Sequence, residues 1–303
     1  MTTIEELKQK IATANDLKSV VKTMKALAAV SIHQYENAVE SLSEYDRTLS
    51  MGWQILLQKH PERLFEESTR QTQKVGLVIF GSDWGMCGQF NERIADRTQK
   101  YLDYPDIVPN ASSILCIGSK ISDRLEAMGY NCEANFNLPS SVTGITAIVQ
   151  EIVLNLEAWR EQNRVERIII IYNLITTGTT YRPTRLQIFP LNSRWLQDLK
   201  QRQWSSKCIP TFTMEEDKLA AALFRQYFFV SLYRACAESL KSENTSRLAA
   251  MQTAEKNISE RLNELNMQFN QQRQTTITEE LLDIVAGFEA LNEFSSQESG
   301  VRS

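Results

Sequence analysis

The sequence predicts an α/β chain: a long antiparallel coiled coil of N- and C-terminal helices with an inserted doubly wound α/β domain. Three observations point there. All seven prolines fall between Pro61 and Pro210, and proline breaks a helix by removing a hydrogen bond and clashing with the preceding turn. That same stretch holds most of the glycines. The two end tracts repeat apolar residues at alternating steps of three and four, the seam of a coiled coil. The expected divisions are a helix over 1–60, the insert over 61–210, a helix over 211–295 and a polar tail over 296–303.

The first helix opens with the capping box Thr3-Ile4-Glu5-Glu6. Its stripe runs through Ile4, Leu7, Ile11, Ala14, Leu17, Val21, Met24 and Ala28, then Ile32, Tyr35, Val39, Leu42, Leu49, Trp53 and Leu56. Such a helix spans ~85 Å at 1.5 Å per residue, too long for burial within one ordinary domain. In the insert, Val75 to Phe80, Ile114 to Ile117 and Val165 to Tyr172 are short β-branched runs suited to buried parallel strands. Helical patterns separate them at Asn91 to Leu102, Ser119 to Met128 and Ile145 to Trp159, the βαβα rhythm of a doubly wound domain. Arg185 to Leu191, between Pro183 and Pro190, suits an edge strand. The last helix carries a second capping box, Thr213 to Glu216, and a stripe that includes Leu219, Leu223, Val230, Leu240, Leu248, Met251 and Ile258. That stripe continues through Leu262, Leu265, Phe269, Ile284, Phe288 and Leu291, with Lys241, Asn244, Glu255 and Gln272 as polar interruptions that fix register.

Composition excludes several classes of function. A net charge of -4 argues against nucleic-acid binding. No apolar run approaches the ~20 residues needed to span a bilayer, and MTTIEELKQK lacks the apolar core of a signal peptide. The five cysteines (Cys87, Cys116, Cys132, Cys208 and Cys236) are widely spaced and form no close pair, so reduced thiols are expected, without a metal site or redox dithiol. With only His33 and His60, most histidine-based catalytic and metal schemes are removed. A nucleotide site in the insert would need a glycine-rich cradle after the first strand. The turn Gly81-Ser82-Asp83-Trp84-Gly85-Met86-Cys87-Gly88 fits neither standard spacing, and Cys87 has no neighbouring histidine to activate it.

The end tracts carry more than periodicity. Ser242-Glu243-Asn244-Thr245-Ser246-Arg247-Leu248-Ala249-Ala250-Met251, with Ala254 and Asn257, resembles the SE-x-x-x-R-[ML]-x-AM-x-x-A-x-x-N pattern of the rotary ATP synthase gamma subunit. Asn270 to Glu280, followed by Asp283-Ile284-Val285-Ala286-Gly287, resembles that family's N-x-x-RQ-x-x-IT-x-E-x-x-[ED]IV-x-G. Lys18 to Ala29 is similar to K-x-I-x-K-A-MK-x-VAA, and Ser82 to Asn91 to SDRGLCGGFN. The blocks stand in family order over nearly the whole chain.

The resemblance implies a non-catalytic shaft. Its two terminal helices would form an antiparallel coiled coil inside a ring of three alpha and three beta subunits. Its insert would sit at the base, beside the epsilon subunit and the membrane c-ring. No cofactor or metal is implied, and membrane association is peripheral, on the cytoplasmic face of a bacterial membrane (cell inner membrane or thylakoid). Lys18, Lys22, Met24 and Lys25 correspond to the segment facing beta, and Arg273, Gln274, Thr278 and Glu280 to positions that catch beta or couple rotation. Arg247, with Glu243, sits in a block near the coupling region, where it would meet an acidic partner. Lysines 18, 22 and 25 lie at i, i+4 and i+7 on one helix face.

The chain departs from the family at Ser19, Ser31, Ile32 and His33, where further Lys or Arg is usual, at Trp84 in place of Arg, and at Phe288 in place of Ala. Fewer shaft charges suggest altered complementary surfaces on beta and suit a second, specialised F-type ATPase such as a sodium-translocating form. The extra segment with a regulatory cysteine pair found in the photosynthetic branch is not present, so thiol control of rotation is not expected. The competing readings are a coiled-coil structural adaptor with an α/β head and a small-molecule enzyme in the insert.

Overall fold

Helices α1 (Ile4–Lys59) and α6 (Glu216–Gly300) run for 56 and 85 residues, and neither contains a proline. Between them lie β1 (Val75–Phe80), α2 (Phe90–Leu102), β2 (Ser113–Ile117), α3 (Ser119–Ala127) and β3 (Ala134–Phe136). There follow α4 (Val142–Glu161), β4 (Arg167–Thr177), β5 (Thr180–Phe189) and α5 (Ser193–Gln201). The computed structural model describes residues 3–59, 74–104, 107, 112–162, 165–178, 180–204 and 210–300, with backbone alone at 59 and 289–300. The chain divides into two units, Met1–Lys25 with Met251–Ser303, and Ala26–Ala250.

In the first unit the capping box closes as expected: Glu6 N donates to Thr3 Oγ1 at 3.2 Å and Thr3 N to Glu6 Oε2 at 3.3 Å. The buried side of α1 there passes through Ile4, Leu7, Ile11, Ala14, Lys18 and Val21. Leu17, expected on the stripe, is 53% exposed. The seam instead keeps a strict heptad: a step of four from Ala14 reaches Lys18, which is half-buried. On α6 of this unit the same rule selects Met251, Glu255, Ile258, Leu262, Leu265, Phe269, Gln272 and Thr276. From Ile277 to Phe288 every residue is exposed, so Ile284 and Phe288 do not continue the stripe; Leu291 lies outside the described side chains. Backbone helix is described as far as Gly300, past the expected end at 295.

The second unit contains the sheet, in the order β3-β2-β1-β4-β5, parallel except for the antiparallel hairpin β4–β5 that turns at Gly178. β1 is buried at all six positions because it sits centrally, paired to β2 and β4. One face of the sheet (Val78, Phe80, Leu115, Ile168, Ile170) packs on α4, on Phe228 to Leu240 of α6 and on Tyr35 of α1. The opposite face (Leu77, Ile79, Ile114, Ile169, Ile171) packs on α2 and α3. Both faces are covered, as a doubly wound sheet requires. In this unit α1 and α6 run antiparallel: Glu36 accepts from Lys241, Asp46 from Arg234, and Trp53 stacks edge-on to Phe224.

Several elements differ from expectation. β4 runs on to Thr177, and β5 starts at Thr180, because the hairpin extends both strands beyond their apolar runs. β3 and α5 carry no strong sequence signal. Helix α5 is fixed by Asn192, whose Oδ1 accepts from Arg194 N at 2.9 Å and Trp195 N at 3.5 Å. Asn192→Ala is expected to cost about 1 kcal/mol, read as a lower urea midpoint. Helix α6 starts at Glu216, two residues later than its capping box implied, with Leu219 N donating to Glu215 O. The cysteine expectation is corrected: Cys116 and Cys132 are joined by a disulfide across 16 positions of sequence. The turn leading into β3 runs beside β2 and brings together what sequence spacing separates. Cys87 and Cys236 are free and buried, and Cys208 lies outside the described residues.

Candidate functional site

The basic face of α1 belongs to the first unit. Lys18 and Lys25 are seven residues apart on the seam and half-buried, while Lys22 projects beside them and Met24 is half-buried. Lys25 Nζ lies 2.5 Å from Glu255 Oε2 on α6. That hydrogen bond holds the Glu255 carboxyl below its ordinary range, and the charges of Lys22 and Lys18 add to the effect. One of the three lysines is therefore engaged within the chain. Arg273, Gln274, Thr278 and Glu280 are all exposed on α6, with Thr278 Oγ1 donating back to Gln274 O at 2.9 Å. Near them Ile277, Leu281, Leu282, Val285 and Phe288 are large apolar residues facing solvent.

A clasp in the second unit is built where α6 crosses the ends of the central strands. Ser239, Ser242, Glu243, Asn244, Thr245 and Ser246 are buried polar residues in mid-helix, and buried polar groups need partners. Ser242 Oγ donates to Asn173 O at 2.9 Å, and Asn173 Nδ2 donates to Phe90 O at 3.1 Å. Ser246 Oγ donates to Cys87 O at 2.6 Å and lies 3.4 Å from the Tyr181 hydroxyl. Asn244 and Thr245 bond back to Leu240 O and Lys241 O. Arg247 Nη2 donates to Glu243 Oε1 at 2.5 Å, and Nη1 to Asn244 Oδ1 at 3.3 Å. The acidic partner of Arg247 is thus its own helix neighbour, and with side-chain exposures of 14% and 5% the pair is buried.

Burial dominates the electrostatics of the clasp. It pushes the Glu243 carboxyl up to about 7, against the pull of Arg247 and with a smaller push from Asp83. It pushes Tyr35 of α1 up to about 12, with Cys236 and Glu243 adding. The Cys87 thiol is raised by burial, opposed by its Ser82 contact, which leaves it protonated and a poor nucleophile.

The turn after β1 is occupied by the chain itself. Asp83 Oδ1 accepts from Ser119 N, the first amide of α3, at 2.9 Å, and Oδ2 accepts from Leu138 N at 2.7 Å. A helix N-terminus at the carboxyl end of a strand is where a doubly wound domain would hold a phosphate. Here an internal carboxylate fills that place. Sequence reading quoted Asp83 within a motif but missed this role, along with Asn173 and Tyr181. Its only signal was an acid one residue past a strand-ending Gly-Ser. The same turn exposes Trp84 (75%) beside Met86. Among the described residues, no three His, Cys, Asp or Glu side chains group to hold a metal, and no helix is long and apolar enough to cross a membrane.

Comparison with known proteins fits this architecture. A family model described as ATP synthase matches residues 3–291. The chain is 26% identical over 299 residues to the ATP synthase gamma chain of Heliobacterium modesticaldum, covering 96% of this chain and 100% of that one. It is 24% identical over 292 residues to the gamma chain of Ehrlichia canis, with 96% and 100% covered. Its fold resembles a rotor chain of the Euglena gracilis mitochondrial ATP synthase at a TM-score of 0.59 and 15% identity, covering 90% of this chain and 98% of that one. A chain of the Tetrahymena thermophila central stalk and c-ring assembly gives 0.53 at 18% identity, covering 78% and 99%. With its fold, its motif blocks and nearly all of its length matched, the chain belongs to the gamma-chain family of F-type ATP synthases.

Proposed function

We propose that this chain is the rotating, non-catalytic shaft of an F-type ATP synthase or ATPase, coupling ion flow through a membrane c-ring to ATP synthesis or hydrolysis on beta subunits. The observation that carries the reading is α6: 85 residues of unbroken helix, clasped to the sheet by buried hydrogen bonds at Ser242 and Ser246 and exposed on all sides from Ile277 to Phe288. A stiff helix transmits torque, and an exposed polar and apolar run needs partners. Alpha and beta subunits supply them around the helices, and epsilon and the c-ring at the insert, so the chain is held at the membrane peripherally. Asp83 supports a non-catalytic role, because the anion position of the insert is already filled.

Contact with beta falls to the exposed Lys22, Arg273, Gln274, Thr278 and Glu280, with Lys18, Met24 and Lys25 at the seam margin. Arg247 serves coupling from within, by opposing the effect of burial on the Glu243 carboxyl and keeping the clasp closed. Co-expression with alpha and beta subunits of the same genome is expected to yield a co-purifying complex that hydrolyses ATP. Gln274→Ala with Thr278→Ala is expected to leave assembly intact while lowering turnover about 10-fold or more, the size of ordinary coupling energies. A chain that self-associates and ignores alpha and beta would overturn the reading in favour of an adaptor.

A further inference from the structure

The Cys116–Cys132 disulfide has no part in the shaft reading, and its surroundings give it a chemistry of its own. Cys116 lies in β2 with no exposed surface, within the apolar layer under α2 and α3. Cys132 is half-buried at the margin of that layer, in the turn that leads into β3. Of the two cysteines, only Cys132 keeps exposed surface. Edge strand β3 is three residues long and pairs only with β2, through Leu115, Cys116 and Ile117. It is secured at its entry by the disulfide, by Glu133 N donating to Ile114 O and by Ser113 Oγ donating to Glu133 Oε1. At its exit Leu138 N donates to Asp83, whose other oxygen caps α3.

We infer that Cys116–Cys132 is a reducible staple, opened by dithiol attack on Cys132, that sets how firmly β3 and the Asp83 turn are held. The reductant class is a protein or small-molecule dithiol. Its thiolate attacks Cys132 Sγ, a mixed disulfide forms, and Cys116 leaves and takes a proton. The second thiol then displaces Cys132, which is released as a thiol. Two electrons and two protons pass from the dithiol, which ends as a disulfide. The released Cys116 sits as a neutral thiol in apolar surroundings, where a thiol is well tolerated.

The test uses the full chain, lysed into N-ethylmaleimide and digested without reductant. Mass spectrometry is expected to find the linked peptide; complete alkylation of both cysteines, even in protein incubated with oxidised glutathione before the maleimide is added, would overturn the inference. Native protein is then exposed to dithiothreitol with a maleimide pulse. Cys132 is expected to label about 10-fold or more faster than the buried Cys87 and Cys236, whose labelling reports larger openings. Equal rates would show a bond released only by unfolding and would sink the staple as a reducible device. Hydrogen exchange supplies the last readout: reduction, or Cys132→Ser, is expected to speed exchange of the Leu138 and Ser119 amides. Unchanged exchange there would refute the link from staple to Asp83. None of these readouts depends on assembly with other subunits.

Discussion

Replacing Arg247 with methionine is expected to destabilise the second unit by about 1 kcal/mol at pH 8, where the buried Glu243 carboxyl is ionised, and by little at pH 5.5, where it takes up a proton. Glu243 is 5% exposed and its Oε2 has no hydrogen-bond partner, so water cannot take over from the guanidinium. The deficit carries a pH signature. The carboxyl in the folded chain is raised to about 7 from an ordinary 4.5, so the folded state binds more protons than the unfolded one across that window. Stability contributed at Glu243 is therefore present below pH 4.5 and is lost as pH rises through 7. Arg247 lowers this carboxyl, so its removal raises it further and extends the loss to higher pH. Urea unfolding at pH 5.5 and pH 8 is expected to show a penalty for Arg247→Met that grows with pH. Adding Glu243→Gln should recover most of the loss. A penalty equal at both pH values, or no recovery in the double variant, would show that Arg247 contributes packing rather than charge compensation.

The contrast between what was legible and what was not follows from where the deciding contacts lie. β1, β2 and β4 were readable because their β-branched runs are buried on both faces, and hydrophobicity alone marks such strands. The heptads of α1 and α6 were readable because their period belongs to one helix. Leu17 and Lys18 were confused because a step of three and a step of four both suit an amphipathic helix, and only the phase of the partner's seam chooses between them. β3 left no trace: Ala134-Asn135-Phe136 is a strand because β2 pairs with it, and the disulfide and Asp83 secure its ends. The clasp was visible as letters but not as a place. Ser242, Glu243 and Ser246 look like an ordinary solvated helix face, and a hydrophobicity pattern reads them as outside. They are inside because Asn173, Cys87 and Tyr181, between 65 and 159 positions away in sequence, supply the partners of Ser242 and Ser246, while Glu243 is met by Arg247. Pairing between residues distant in sequence is the information that periodicity lacks.

Gly118→Ala is expected to cost about 4 kcal/mol, combining backbone strain with overpacking. Gly118 sits at φ +115, where side chains are rarely tolerated, and a Cβ there would lie 2.8 Å from Ser82 N and 2.9 Å from Ser82 C and O. These are backbone atoms of the turn after β1, so no rotamer change relieves the clash. Moving that backbone would stretch Lys120 N to Ser82 O, now 2.9 Å, and pull Asp83 away from Ser119 N and Leu138 N. Gly118 N also donates to Phe136 O at 2.8 Å, so β3 would be disturbed from both sides. Gly129→Ala separates the two contributions. Gly129 also has positive φ, at +87, but a Cβ there meets nothing within 4 Å. Its substitution should cost only the left-handed strain of about 1–2 kcal/mol. Urea midpoints and exchange of the Leu138 amide check both: Gly118→Ala is expected to lower the midpoint more and to release Leu138, whereas Gly129→Ala leaves Leu138 protected. Equal losses in the two variants would mean that the turn after β1 yields easily. The close crossing of the two turns would then have no part in holding Asp83 where a doubly wound domain would otherwise receive a phosphate.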